Sequence, residues 1–484
     1  MQRTWAISGV DLHLDLGGPR VRAAIETGLR EAVSSGRLRA GARLPSSRAL
    51  AADLGVARNT VAEAYGQLVA EGWLTARQGS GTRVAARVDP RDAEPPGAAI
   101  GEPLAVRVRY DLRPGSPDVS AFPRRAWLRA ARTALAEAPF AALDYSDPRG
   151  RPELRAALAE YLARARGVRA SPDRIVVCSG FTHGFSLLCQ VLRDRGASAL
   201  AIEDHGLASV PAAATAAGLG VRLVPVDEEG AVVEELAGAD GAVLTPAHQF
   251  PLGMPLAPRR RALVVDWAVG GERLIIEDDY DGEFRYDRHP VGALQALAPD
   301  HVVYAGTASK TLAPGLRLAW LVVPPGLVEP LVAARMLAER HSGVIDQLTL
   351  AELIRSGAYD RHVRRARLAY RRRRDRLVAE LRRRAPQAQV SGIAAGLHAL
   401  VDLPPGLSEA EVIERARERG LGITGLANFH HGSTSHPEAL VVGYAKPPEH
   451  AFTASVARLT AVLGEPLDAA KPRRPGRMRR RSAG

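Results

Sequence analysis

Between Tyr110 and about Leu463, short apolar runs alternate with stretches of helical periodicity, and this alternation narrows the possible folds more than any other feature. The runs are Ile175–Cys178, Ala199–Ile202, Val221–Val224, Ala242–Leu244, Leu274–Ile276, Val302–Tyr304 and Leu318–Val323. They are nearly continuous in apolar side chains instead of alternating with polar ones. Such a strand must be covered on both faces, as in a parallel sheet whose crossover helices pack above and below. An α/β domain with a mostly parallel sheet is therefore expected over residues 111–464. The chain has 484 residues, too many for a single core, so a second domain is expected.

The N-terminal residues supply it. Val21, Ile25, Leu29 and Val33 fall on one helical face. Ser46 and Ser47 follow Pro45 and can cap a second short helix carrying Leu50, Ala51 and Leu54. Gly55 makes a turn, and Val61, Ala64, Tyr65 and Leu68 stripe a third helix that Gly72 ends. Trp73 to Val84 reads as strand, tight turn at Gly79-Ser80-Gly81, and strand. Two helices joined by a short turn and followed by a hairpin form a winged helix-turn-helix, assigned to residues 1–86. The outer face of the third helix opens with Arg58, Asn59 and Thr60. Arginine can bond guanine or phosphate, asparagine can pair adenine, and Thr60 suits a phosphate. Arg48 and Arg83 are further phosphate candidates. Twelve arginines stand against seven carboxylates in residues 1–88, an excess suited to a polyanion.

Asp89-Pro90, Pro95-Pro96-Gly97 and weak periodicity mark residues 87–110 as a linker. The arginine-rich stretch from Arg361 to Arg384 keeps Val363, Leu368, Leu377 and Leu381 as an apolar face, so a long exposed helix is expected. Residues 465–484 are basic, hold no core-forming side chains, and are expected to be disordered. The formal net charge of +12 favours a nucleic-acid partner, although a solvated basic surface would give the same balance. Cys178 and Cys189 lie in apolar stretches without metal-ligand spacing, so buried free thiols and no metal site are expected. No signal peptide and no run near the ~20 apolar residues of a membrane span is seen, so a cytoplasmic location is expected.

Nearly every cation is arginine; the lysines are Lys310, Lys446 and Lys471. A guanidinium cannot replace a nucleophilic amine, so a retained lysine in a pocket is a candidate for amine chemistry. Lys310, in Thr307-Ala308-Ser309-Lys310, follows an apolar run, where open α/β sheets place ligands. Asp278 follows another. Thr307, Ser309 and Arg317 offer hydroxyls and a guanidinium to a phosphate. Ser179-Gly180-Phe181-Thr182 begins a helix whose backbone N–H groups can bind one. An amine, a carboxylate and a phosphate cup are what pyridoxal 5'-phosphate requires of a protein.

Specific stretches carry resemblances. Leu44-Pro45-Ser46-Ser47-Arg48, Leu54 through Val61, Glu71-Gly72-Trp73-Leu74 and Gly79-Ser80-Gly81-Thr82 resemble the GntR family of regulators, which implies DNA contacts by Arg48, Arg58, Thr60 and the wing at Gly81. Five further stretches resemble fold-type I aminotransferases. They are Arg113 through Asp118, Tyr145 through Gly150, His248-Gln249-Phe250-Pro251, Glu277 through Tyr286 and Gly306 through Arg317. More closely, the chain resembles MocR-type regulators, which fuse the two domains. The resemblance implies that Lys310 forms a Schiff base with pyridoxal phosphate, Asp278 holds the ring nitrogen, Tyr280 bonds the phenolic oxygen, and Ser309 and Arg317 bind phosphate. It also implies a homodimer in which Tyr145 reaches the phosphate of the partner subunit.

Three departures from working aminotransferases bear on activity. Val441 stands where those enzymes grip the substrate carboxylate with arginine, Leu207 stands near the position where they commonly carry a ring-stacking aromatic, and Phe250 stands where they often carry an asparagine. The expectation is a regulator that binds operator DNA and answers to pyridoxal phosphate, controlling vitamin B6 synthesis or salvage, or to an amino acid or amine. Weak or no transaminase activity is expected; an active aminotransferase with a vestigial DNA-binding domain is the alternative.

Overall fold

The computed structural model describes residues 21–77, 81–85, 108–286, 291–432 and 436–464. The turn residues Gly79-Ser80, most of the 87–110 linker, and the 465–484 tail with Lys471 lie outside them. The chain divides into two compact units, Met1–Val106 and Arg107–Gly484.

In the first unit, α1 (Val21–Ser34), α2 (Ser47–Leu54) and α3 (Arg58–Ala70) precede an antiparallel pair, β1 (Leu74–Arg77) and β2 (Gly81–Val84). Ser46 Oγ accepts the Ala49 N–H at 3.2 Å, capping α2. Gly55 closes it at φ +69°, a conformation that favours glycine. Ile25, Leu29 and Ala32 of α1 meet Val61, Ala64, Tyr65 and Leu68 of α3 in one core, which Leu74 and Val84 of the wing complete. Each fully buried aliphatic side chain contributes roughly 1.5–3 kcal/mol. Tyr65 also donates to Pro45 O at 3.0 Å, fixing α3 against the entry to α2.

All seven apolar runs become strands of one sheet in the second unit. Its order is Ile175–Cys178, Ala319–Val322, Val302–Thr307, Leu274–Asp278, Gly241–Leu244, Ala199–Glu203 and Gly220–Val224. Ala319–Val322 is antiparallel to both neighbours, and the remaining pairs are parallel. Both faces are buried: Ile175 and Val177 belong to one apolar cluster, Val176 and Cys178 to another. Cys178 and Cys189 are buried free thiols. A four-stranded antiparallel sheet (Gln389–Ser391, Ala399–Asp402, Ala439–Val442, Thr424–Gly425) forms the C-terminal part.

The arginine-rich stretch is a helix, Ala358–Arg384, that buries Val363, Tyr370, Leu377 and Leu381. Leu368 departs from the expected face and is exposed. It lies five residues beyond Val363, about 140° round the helix from the buried stripe. Tyr370 occupies the stripe instead.

Candidate functional site

Two sets of residues carry chemistry, one in each unit. In the first, Arg58 and Asn59 are exposed at the start of α3, with Thr60 half-buried beside them, and Arg48 is exposed on α2. Neither Arg48 nor Arg58 forms an ion pair among the described residues. Arg83 is exposed, but its Nη1 donates to Gly41 O at 2.9 Å, so part of its guanidinium is used at the base of the wing. Gly81 has φ +79°, and a Cβ there would stand 3.3 Å from Arg43 Nε. Arg43, which the sequence reading missed, is drawn to the wing by an antiparallel bridge with Arg83. Its only sequence signal was its charge.

The second set gathers at the carboxyl ends of the parallel strands. Lys310 and Asp278 share a pocket with Gly115, Leu207, Phe250 and Tyr280. Lys310 Nζ donates to Gly115 O at 2.6 Å. Burial lowers the pKa of its ammonium, opposed by the Asp278 and Asp281 carboxylates. Burial pushes Asp278 up to about 8, against the pull of Lys310. The pocket thus moves both groups toward their neutral forms, and a neutral amine is the nucleophilic one. Asp278 has no hydrogen-bond partner among the described residues, whereas its neighbour Asp279 is tied to Arg166 at 2.6 Å and to the Tyr304 hydroxyl at 2.7 Å.

Tyr280 Oη lies 3.0 Å from His248 Nδ1, which in turn lies 2.8 Å from Asp281 Oδ2. Phe250 packs edge-on to Tyr280, with ring centroids 5.8 Å apart. Sequence reasoning missed Glu203, whose carboxylate accepts from Thr245 Oγ1 at 2.6 Å and Gln249 Nε2 at 3.1 Å; burial pushes it up to about 7. It also missed His398, lowered by burial to about 4 and therefore neutral.

Beside the pocket, Gly180 at φ +96° precedes the helix Phe181–Asp194. Arg317 Nη2 donates to Ser179 O at 2.5 Å, and a Cβ on Gly180 would come within 2.5–2.7 Å of that guanidinium. Glycine is what permits the approach. Phe181 stacks its ring on Phe185, so its side chain turns to the core while its backbone opens the helix. Thr182 is exposed. Thr307 Oγ1 accepts the Ser309 N–H at 3.1 Å and lies 2.9 Å from Ser309 Oγ, so Thr307 orients Ser309. Ser179 Oγ donates to Glu339, a support absent from the sequence reading. Tyr145 is not brought into the pocket: its ring is 73% exposed, with the Arg340 guanidinium 4.1 Å from the ring centroid.

Among the described residues, no arginine lines the pocket. Val441 is fully buried in the Ala439–Val442 strand with Leu252, Leu400 and Leu426 around it, so that position is apolar.

The chain is similar to known proteins along most of its length. Residues 22–84 match the bacterial regulatory proteins of the gntR family, and residues 115–440 match aminotransferase class I and II. A pyridoxine biosynthesis transcriptional regulator of Corynebacterium glutamicum, PdxR, is 35% identical over 87% of this chain and 91% of its own. The probable rhizopine catabolism regulatory protein MocR of Rhizobium meliloti is 31% identical over 86% of this chain and 88% of its own. The chain belongs to the MocR-type GntR regulators. An archaeal alanine:glyoxylate aminotransferase shares the fold of this regulator's larger unit, with TM-score 0.67 and 24% identity over 74% of the chain and 91% of that structure. The GntR domain implies DNA binding, which fits the exposed Arg48, Arg58 and Asn59. No helix among the described residues of this MocR-type protein is long and apolar enough to cross a membrane.

Proposed function

We propose that this chain is a homodimeric transcriptional regulator that binds operator DNA through residues 1–86, binds pyridoxal phosphate through Lys310, and adjusts transcription in response to that cofactor. The observation that carries the reading is the pairing of an amine, Lys310, with a carboxyl that has no side-chain partner, Asp278, both half-buried in a pocket that no arginine lines. The residues fit the group. Gly180 lets the Arg317 guanidinium lie against the start of the helix Phe181–Asp194, where a Cβ would stand 2.5–2.7 Å from it, and Thr307 orients Ser309 next to Lys310. Once bound, pyridoxal phosphate supplies an aldehyde to the amine and an electron-withdrawing ring. Asp278 would hold a proton on the ring nitrogen, and the opposite charge there would offset the desolvation that raises its pKa. Tyr280 would donate to the phenolic oxygen, with His248 and Asp281 fixing its direction. Ser309, Arg317 and the backbone of Phe181 and Thr182 would hold the phosphate, and Tyr145, exposed here, would reach it in the partner subunit. Leu207 would pack on the ring.

A pocket lacking a guanidinium grips an amino-acid carboxylate poorly, which favours the cofactor as the signal. The relative named for pyridoxine biosynthesis supports the same choice. Ligand binding can shift regulation only through different affinities for two states of the protein. The test is titration of cofactor-stripped protein with pyridoxal phosphate, following binding to the DNA upstream of its own gene. A change in affinity or footprint with the cofactor alone supports the proposal. Unchanged binding overturns it in favour of an amino-acid or amine signal, and steady turnover of an amino donor with 2-oxoglutarate would make the chain an aminotransferase. Lys310→Ala should abolish the borohydride-reducible adduct.

A further inference from the structure

The rim of the pocket holds a group of side chains that the reading above does not use. Asp204 and His205 directly follow the strand Ala199–Glu203, and a segment about 225 residues later brings His430 against them. Backbone bonds clamp the two segments: Gly206 N–H donates to Phe429 O at 2.8 Å, and His431 N–H donates to Asp204 O at 2.8 Å. His205 and His430 thereby form an antiparallel bridge, with ring centroids 4.7 Å apart. Directly opposed residues of such a bridge place their side chains on one face. One donor atom from each of Asp204, His205 and His430 lies within 4.8 Å of the others.

A histidine beside an aspartate is often only a hydrogen-bonded pair, and His205 Nδ1 does lie 2.7 Å from Asp204 Oδ1. That pairing leaves its other nitrogen unexplained. The His205 side chain is more than nine-tenths buried, yet its Nε2 has no hydrogen-bond partner among the described residues. An ion set between Asp204 and His205 Nδ1 would take the place of that hydrogen bond and its proton, so that both groups serve as ligands.

We propose that Asp204, His205 and His430 form a binding site for a borderline divalent transition metal ion, with Zn2+ as the favoured occupant. Imidazole nitrogens with a carboxylate suit zinc, whereas magnesium and calcium prefer all-oxygen sets. Closing on an ion at about 2.0–2.1 Å requires the donors to draw in by about an ångström, within the reach of side-chain rotation. Because Asp204 and His205 directly follow a strand of the large sheet and His430 belongs to the C-terminal part, the ion would fasten one to the other across the pocket rim.

The experiment is calorimetric titration of the full chain, dialysed against chelator, with Zn2+ and separately with Mg2+. The expected result is one Zn2+ equivalent per chain, no Mg2+ heat at the same site, and a higher melting temperature with Zn2+. His205→Gln and His430→Gln should each weaken that equivalent at least roughly tenfold, the lower end of what loss of even a supporting residue costs a metal site. His450→Gln, at an exposed helix position, should leave it unchanged. Absence of a Zn2+ equivalent in the unsubstituted chain overturns the proposal whatever the variants do, and so does an affinity in both histidine variants unchanged from that of the unsubstituted chain.

Discussion

Arg166 and Asp279 offer a quantitative test of how the pocket is supported. Their side chains are 4% and 1% exposed, and two hydrogen bonds join them, Nε to Oδ2 at 2.6 Å and Nη2 to Oδ1 at 3.0 Å. Arg166 also donates to Val291 O at 3.1 Å. Asp279 sits between Asp278 and Tyr280, so its anchorage sets the backbone that presents both. Arg166→Met keeps much of the volume but leaves Asp279 buried with Tyr304 as its remaining hydroxyl donor. Breaking a buried pair in this way costs about 3–5 kcal/mol, because one charge stays desolvated without its partner. For a unit the size of residues 107–484, the entropy of unfolding is roughly 0.8 kcal/mol per kelvin, so the melting temperature should fall by roughly 4–6 °C. The double variant Arg166→Met/Asp279→Leu removes both charges and should lie closer to the unsubstituted protein than Arg166→Met does. Calorimetry of the larger unit reads the shift, and pyridoxal phosphate titration reads the accompanying loss of affinity. A fall of less than about 1 °C for Arg166→Met, or strictly additive losses in the double variant, would refute the reasoning.

In cofactor-free protein, folding raises the Asp278 pKa to about 8. Its contribution to stability is therefore fully present below the ordinary aspartate pKa and is lost as pH rises toward 8. Asp278→Asn should flatten the fall of melting temperature between about pH 4 and pH 8; an unchanged slope would assign the pH dependence elsewhere. Gly180→Ala should displace Arg317 and strain the backbone by about 1–3 kcal/mol, seen as at least a tenfold loss of pyridoxal phosphate affinity. Arg58→Ala should weaken operator binding by about 1–3 kcal/mol if Arg58 reads a base, or lower the salt slope by about one if it meets a phosphate. Fluorescence anisotropy at several salt concentrations separates these results, and normal binding with an unchanged slope would remove Arg58 from the interface.

The sequence by itself determined the elements whose cause is local. All seven sheet strands were legible because doubly covered strands read as continuous apolar runs. The winged helix-turn-helix was legible because its stripe, Ser46 cap and Gly55 turn act within a few residues of one another. Lys310 stood out because arginine had replaced lysine almost everywhere else. The four-stranded C-terminal sheet was mostly hidden, since strands as short as Thr424–Gly425 carry too few side chains to show a period. Leu368 was misplaced because arginines interrupt its helix and leave the phase of the stripe undefined. Only the tertiary structure decided that Asp278 is alone while Asp279 is paired, that Arg43 leans on Gly81, and that His430 meets His205. Each depends on which backbone segments are brought together: a buried charge is satisfied or left bare by whatever packs over it, and no spacing along the chain records that partner.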